Sequence, residues 1–128
     1  MDRPRGAVLV AERDGEVVGF ANVGPAEDPA GAGELYALNV DPAHWGTGAG
    51  RALLQAAQAE LARLGFGELV LWVLPANARA RRFYERAGWA GDGTERTVDA
   101  LGVTVPEVRY RRCSTSEDSS SATPLGTE

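Results

Sequence analysis

A chain of 128 residues, 44% apolar and 24% charged, has the size and balance of one soluble globular domain. Its net charge of −5 argues against nucleic acid as a partner, and no apolar run approaches the ~20 residues that span a bilayer, so no membrane partner is expected. One cysteine, Cys113, excludes a disulfide framework and a multi-cysteine metal site, and one histidine, His44, argues against a histidine-based zinc centre, so no metal is expected.

No signal-peptide pattern opens the chain, which sets the expectation of a cytoplasmic protein. Residues 7–12 and 16–23 are rich in β-formers, and Arg13-Asp14-Gly15 between them supplies the Asp-Gly of a tight hairpin. Pro25 to Gly33 reads as a loop of Gly, Pro, Ala and acids. Alternation predicts a third strand over 34–40, with Leu35, Ala37 and Asn39 on one face and Glu34, Tyr36, Leu38 and Val40 on the other. Asp41-Pro42 ends it.

From about Gly48 to Leu64 the apolar period is helical, with Leu53, Leu54, Ala57, Leu61 and Leu64 on one stripe and Gly65 as the stop. Glu68 to Leu74 is a near-continuous apolar run, the pattern of a strand covered on both faces, and Pro75 closes it. A second helix is predicted over Asn77 to Arg86, with Asn77 as N-cap, Gly88 past its end and Ala80, Phe83, Tyr84 and Ala87 as its stripe. Beyond Trp89 comes a loop broken by Gly91 and Gly93, then Thr97 to Val105 and Glu107 to Arg112 as one or two closing strands. Residues 114–128 have almost nothing to bury and are expected to be a disordered tail to a domain spanning 1–113. Strand, helix and strand over 34–74 form a βαβ unit with parallel strands, and the hairpin before it makes the sheet mixed.

The glycine-rich turn Gly46-Thr47-Gly48-Ala49-Gly50 lies between the third strand and the first helix. A helix start carries unpaired N–H groups and partial positive charge, and glycines let a phosphate approach the backbone without meeting a Cβ. Gly50 is followed by Arg51-Ala52, which excludes a Walker loop, and G-x-G-x-G is not the dinucleotide fingerprint. A glycine-rich connection that binds nothing is the alternative from these residues alone.

Residues 34–89 resemble the GNAT superfamily of acyl-CoA-dependent N-acyltransferases. The matching features are L-x-V-x-P at the strand end (Leu38, Val40, Pro42), the G-x-G turn (Gly48, Gly50) followed by Arg51, the apolar strand, and N-x-x-A-x-x-x-Y-x-x-x-G plus an aromatic (Asn77, Ala80, Tyr84, Gly88, Trp89). The resemblance implies an α/β (α+β) fold: a mixed, mostly antiparallel central sheet with a parallel splayed pair and flanking helices. It implies acetyl-CoA as co-substrate, its pyrophosphate held by backbone N–H groups from Gly46 through Thr47, Gly48, Ala49 and Gly50 to Arg51. The main chain at Leu38 and Val40 would pair with the pantetheine amides, and Asn77 would hydrogen-bond the same arm. Trp45 stands at the phosphate turn where the family usually has Gln or Arg, leaving backbone amides as the main phosphate donors.

Tyr84 would protonate the departing thiolate; a core aromatic is the alternative reading. Glu34 would be the general base, directly or through water, on the ground that it shares a face with Val40; a strand-initial surface carboxylate is the alternative. A main-chain N–H near Val40 would polarise the carbonyl. His44 is expected in an exposed loop, with a role as base as the lesser reading. Arg79, Arg81, Arg82 and Arg86 read as a solvated helix face from which one side chain can reach the 3′-phosphate of CoA. Asp92, Glu95 and Asp99 read as solvated loop acids, Trp72 and Trp89 as core, and Cys113 as inert.

The resulting expectation is an N-acetyltransferase acting on a primary amine of a small molecule, protein or peptide through a ternary complex, with a homodimer left open. An acyl-CoA-binding regulatory module without catalysis and a plain α/β interaction domain are the alternatives. The family generally carries a further strand and one or two helices before the hairpin, so the chain reads as shortened at its N-terminus, whether by a misplaced start codon, a minimal domain or a wall supplied by a partner.

Overall fold

The computed structural model describes residues 6–113, and the expected tail at 114–128 lies outside the described residues. Six strands and two α-helices run in the order β1 (Ala7–Arg13), β2 (Glu16–Pro25), β3 (Gly33–Val40), α1 (Ala49–Arg63), β4 (Glu68–Val73), α2 (Ala78–Arg86), β5 (Ala90–Ala100) and β6 (Val103–Cys113). The strands form one mixed sheet in the order β1-β2-β3-β4-β6-β5, mostly antiparallel with one parallel pair, as expected. The described residues fall into two compact units, 6–69 with 113, and 70–112.

In the first unit, β1 and β2 are joined by the expected Asp-Gly turn, with Asp14 and Gly15 both at positive φ (55° and 83°). That pair of left-handed residues matches the right-handed twist of the hairpin. α1 packs across β1, β2 and β3. Its buried residues are Ala49, Leu53, Leu54, Ala57 and Leu61, whereas Leu64, expected on the stripe, is the half-buried C-cap. The helix ends in a Schellman motif: Phe66 N–H reaches Leu61 C=O (3.1 Å) and Gly65 N–H reaches Ala62 C=O (3.0 Å). Phe66 thereby turns back into the core, 2% exposed. Gly33 makes room for it, because a Cβ there would stand 2.8 Å from Leu61 Cδ2 and 2.9 Å from the Phe66 ring.

The faces of β3 differ from the alternation expected. Asn22 pairs with Ala37 and Val23 with Leu35, so Tyr36 is an extra residue, a β-bulge, and the period slips by one there. Paired residues share a face, which puts Leu35, Leu38 and Val40 with Val23, Ala21 and Gly19 on the side α1 covers. Glu34 goes with Ala37 and Asn39 on the opposite side, where Val8, Val10 and Phe20 are exposed. Glu34 therefore does not share a face with Val40. A bulge has no compositional signature that period-2 reasoning detects.

In the second unit, Leu69 is followed by the buried Val70, Leu71 and Val73, as the apolar run foretold. Trp72 is only half-buried, with the Arg96 guanidinium 4.0 Å and that of Arg109 5.7 Å from its ring centroid; Trp89 is in the core, 2% exposed. The expected loop after Trp89 is mostly strand: β5 begins at Ala90, bulges between Gly91 and Glu95, and continues to Ala100. The expected strand over 97–105 is cut by a two-residue turn at Leu101-Gly102, both at positive φ, while Pro106 lies inside β6 opposite Thr97. Gly102 was the local signal for the break; Leu101, not a turn residue by preference, obscured it.

Gly33→Ala is expected to lower unfolding free energy by roughly 1–3 kcal/mol, the range for overpacking a filled core. Urea denaturation of the variant checks this; an unchanged midpoint would mean Phe66 and Leu61 shift aside freely.

Candidate active site

The first unit supplies the link between β3 and α1. Asp41 N–H donates to Val18 C=O at 2.8 Å, which makes Val40 and Gly19 a non-hydrogen-bonded pair and turns the Val40 amide and carbonyl away from β2. Leu38, two residues earlier on the strand, has the same main-chain orientation. Asp41 then caps a 3₁₀ turn, Pro42–His44, by accepting the Ala43 N–H at 3.1 Å. Trp45 follows, and its indole N–H donates to Val40 C=O at 2.8 Å. That bond closes a ring from strand end to loop and takes up the Val40 carbonyl, one of the main-chain groups at Leu38 and Val40 that the resemblance assigns to the pantetheine amides. His44 is half-buried rather than exposed, with Nδ1 closed off from solvent.

The turn itself is shaped by two left-handed residues, Gly46 (φ 79°) and Gly48 (φ 93°), around which a Cβ would meet nothing within 4 Å. Thr47 Oγ1 donates to His44 C=O at 2.6 Å and accepts the Ala49 N–H at 3.4 Å. Gly48 is the N-cap of α1 and offers no side chain to cap it. Ala52 N–H bonds back to Gly48 C=O, so the N–H groups of Gly50 and Arg51 stand at the helix start with no residue in the first turn to accept them. Ala49 is buried, Gly50 half-buried and Arg51 exposed, and the first turn holds no acid that would compete for an anion. Of the six residues the sequence assigned to the phosphate, these two amides are the helix donors left over after Thr47 has taken the Ala49 N–H.

Glu34 is half-buried near the start of β3. Tyr36, the bulge residue, donates its hydroxyl to Pro25 C=O. Burial, then the carboxylates of Glu34 and Glu27, push its phenol up.

The second unit supplies α2. Asn77 Oδ1 accepts the Ala80 N–H at 3.1 Å and caps the helix as expected, leaving the side-chain amide NH₂ outside that bond. Tyr84 sits seven residues on, its ring edge-on to Phe83 and Trp89 at 5.2 and 6.1 Å between centroids. Burial pushes its phenol up to about 12, and its hydroxyl makes no hydrogen bond among the described residues.

Two groups escaped the sequence reading. Arg81 is not on a solvated face: its Nε donates to Tyr110 Oη at 3.0 Å and its Nη1 to Pro75 C=O at 2.8 Å, while Tyr110 Oη donates to Glu85 Oε2 at 2.6 Å. Asp92 is not a solvated loop acid: it pairs with the buried Arg109 at 2.7 Å. Burial pushes the Asp92 carboxyl up, but the Thr94 amide and the Arg109 guanidinium outweigh that and hold it below the usual carboxylate range. The (i, i+4) spacing of Arg81 and Glu85 was the one visible hint for the first group. The second is a long-range pair with no hint. Asp99 is exposed, as expected of a solvated acid, and accepts from Thr104 at 3.1 Å. Among the described residues, no group of three His, Cys, Asp or Glu lies where it could hold a metal ion, and no helix is long and apolar enough to cross a membrane.

Residues 1–89, carrying both the glycine turn and the Asn77–Tyr84 helix, match the model of the acetyltransferase (GNAT) family. The chain belongs to that family. A mycothiol acetyltransferase of Propionibacterium freudenreichii is 40% identical over 93 residues, 72% of this chain and 30% of the relative. The chain thus spans about a third of the length of the mycothiol acetyltransferases it matches. Among solved structures, nourseothricin acetyltransferase superposes with a TM-score of 0.71 at 28% identity, over 88% of this chain and 68% of that one. An acetyltransferase of Salmonella typhimurium, solved with its cofactor acetyl-CoA, gives 0.70 at 27% identity, over 83% and 63%. Within the GNAT frame, Asp92, Arg109 and Tyr110 fall beyond the matched residues.

The Tyr84 shift carries a pH signature. Its folded pKa lies above the ordinary 10.0, so the stability that burial of the neutral phenol contributes is complete below pH 10 and is lost as pH rises toward about 12. Urea midpoints measured at stepped pH are expected to fall across that window in the native chain and less steeply in Tyr84→Phe.

Proposed function

We propose that this chain is an N-acetyltransferase that moves an acetyl group from acetyl-CoA to a primary amine by direct attack in a ternary complex. The observation that carries the reading is the pairing, in a GNAT sequence, of a helix start behind a G-x-G turn that lacks an N-cap side chain with a half-buried tyrosine whose hydroxyl is uncommitted. The N–H groups of Gly50 and Arg51, with the Arg51 guanidinium beside them, would take the pyrophosphate at the positive end of α1. Gly46 and Gly48 keep Cβ atoms out of its path. Thr47 and Ala49 shape the turn, and Trp45 braces it against Val40.

Asn77 would offer its side-chain NH₂ to the pantetheine arm while its carbonyl oxygen caps α2. At Leu38 and Val40 the main chain faces away from β2, toward the side on which that arm would run; Val40 would contribute its N–H, which is also our candidate for polarising the thioester carbonyl. The thioester supplies an acyl group activated by a thiolate leaving group. The amine must lose a proton and the thiolate must gain one. A phenol with a pKa of about 12 is fully protonated at neutral pH, so Tyr84 can act as the donor. Glu34 is kept as the candidate base through water only, because the shared face with Val40 that suggested it is removed by the bulge at Tyr36. We place the protein in the cytoplasm, with a small-molecule or peptide amine as acceptor.

Calorimetry with acetyl-CoA and a thioester-cleavage assay over a panel of amines test the reading together. Heat with turnover supports it, heat without turnover favours a regulatory CoA-binding module, and no heat removes it. Tyr84→Phe is expected to lower kcat by roughly 10²-fold or more with the acetyl-CoA Kd little changed. Gly48→Ala forces an alanine into left-handed backbone at a cost of about 1–2 kcal/mol. It is expected to weaken acetyl-CoA binding by up to roughly tenfold.

A further inference from the structure

We infer that Tyr110 is a positioning residue for Tyr84, its hydroxyl fastening the middle of α2 to the sheet; the inference rests on Tyr84 being the proton donor proposed above. α2 has only nine residues, and none of them is fully buried. A helix that short is not stable by itself, and a half-buried stripe gives it weak lateral hold. Its polar fastenings are correspondingly specific. Tyr110, 2% exposed, stands on β6 with its ring fixed in the core. Its hydroxyl accepts from Arg81 Nε at 3.0 Å and donates to Glu85 Oε2 at 2.6 Å. Arg81 and Glu85 lie one helical turn apart, so two bonds to one immobile oxygen fix both the rotation of α2 about its axis and its travel along it. Arg81 also grips Pro75 C=O before the helix, and Arg112 Nη1 holds Ala87 C=O after it at 2.8 Å.

Tyr84 lies between Arg81 and Glu85 in sequence, on an adjacent face of the same helix. A rotation of about 10° carries a hydroxyl roughly 9 Å from the axis through about 1.5 Å. A displacement on the order of 1 Å at a reacting group is enough to cost about 10²-fold in rate. Packing does not replace the hydrogen bonds. Arg81, Glu85 and Tyr110 border an open cleft of about 310 Å³ with Gly91 and Gly93 among its walls, so α2 is not packed solidly against the sheet on that side. The ion pair alone does not replace them either. Without the hydroxyl between them, Arg81 and Glu85 are an (i, i+4) pair on one helix, which ties α2 to itself and not to β6.

The test is a double-mutant cycle of Tyr110→Phe and Tyr84→Phe in the full chain, with kcat, acetyl-CoA KM and the urea midpoint read for all four proteins. Tyr110→Phe keeps the buried ring and removes only the hydroxyl. The expected result is a fall in kcat of about tenfold or more with KM within about twofold. In the Tyr84→Phe background, Tyr110→Phe is expected to lower kcat no further, because the group it positions is already absent. Equal falls in both backgrounds would overturn the inference, as would an unchanged kcat in Tyr110→Phe while Tyr84→Phe is impaired. A native-like rate in Tyr84→Phe itself would instead remove the proton-donor role, and with it the premise. Glu85→Gln, which retains an acceptor for the hydroxyl, is expected to stay near the native kcat; a loss as deep as that of Tyr110→Phe would count against positioning by hydrogen bond.

Discussion

Every α-helix begins with backbone N–H groups that have no partner inside the helix, and proteins rarely leave such groups without an acceptor. α1 departs from that habit at one end only. Its C-terminus is finished by a Schellman motif that satisfies Leu61 and Ala62 and folds Phe66 into the core. Its N-terminus begins at a glycine in left-handed backbone, with a threonine reaching only the first amide. The difference leaves the Gly50 and Arg51 amides at the helix start, where we propose that an anionic ligand is held. The 3₁₀ turn, the Trp45–Val40 bond and the two glycines with positive φ all serve to hold that start open and in place.

The two helices are attached by different physics. α1 has fifteen residues and buries five of them, so apolar contact holds it and its orientation tolerates small changes in any one side chain. α2 is held by directed bonds: Arg81 donates to Pro75 C=O and Tyr110 Oη, Glu85 accepts from Tyr110, and Ala87 C=O accepts from Arg112. Directed bonds give angular precision that a greasy stripe does not. In the role proposed for Tyr84, that precision matters more than depth of burial.

The β3 bulge does comparable work on a strand. An extra residue at Tyr36 lets Leu35, Leu38 and Val40 all meet α1, which strict alternation forbids, and it sends Glu34 to the other face. The strand can therefore be apolar beneath its helix at both ends. It also carries an acid and a tyrosine together near Pro25, where the Tyr36 hydroxyl is fastened.

Much of this was legible in the residues themselves. Hairpin, long helix, apolar strand and capped second helix follow from short-range rules: Asp-Gly turns, 3.6-residue periodicity, Asn at an N-cap, Gly past a C-terminus. The glycine turn and the Asn77 cap were readable for the same reason, since each is formed within one local segment. What the tertiary structure alone decided is whatever depends on register or on partners distant in sequence. The bulge at Tyr36, the Leu101-Gly102 turn and the continuation of β6 through Pro106 are set by what lies across the ladder. Arg81 with Tyr110, and Asp92 with Arg109, join residues 29 and 17 positions apart. A charged side chain in a sequence looks solvated until the fold brings its counterpart, because the energy that buries it belongs to the pair and not to either residue.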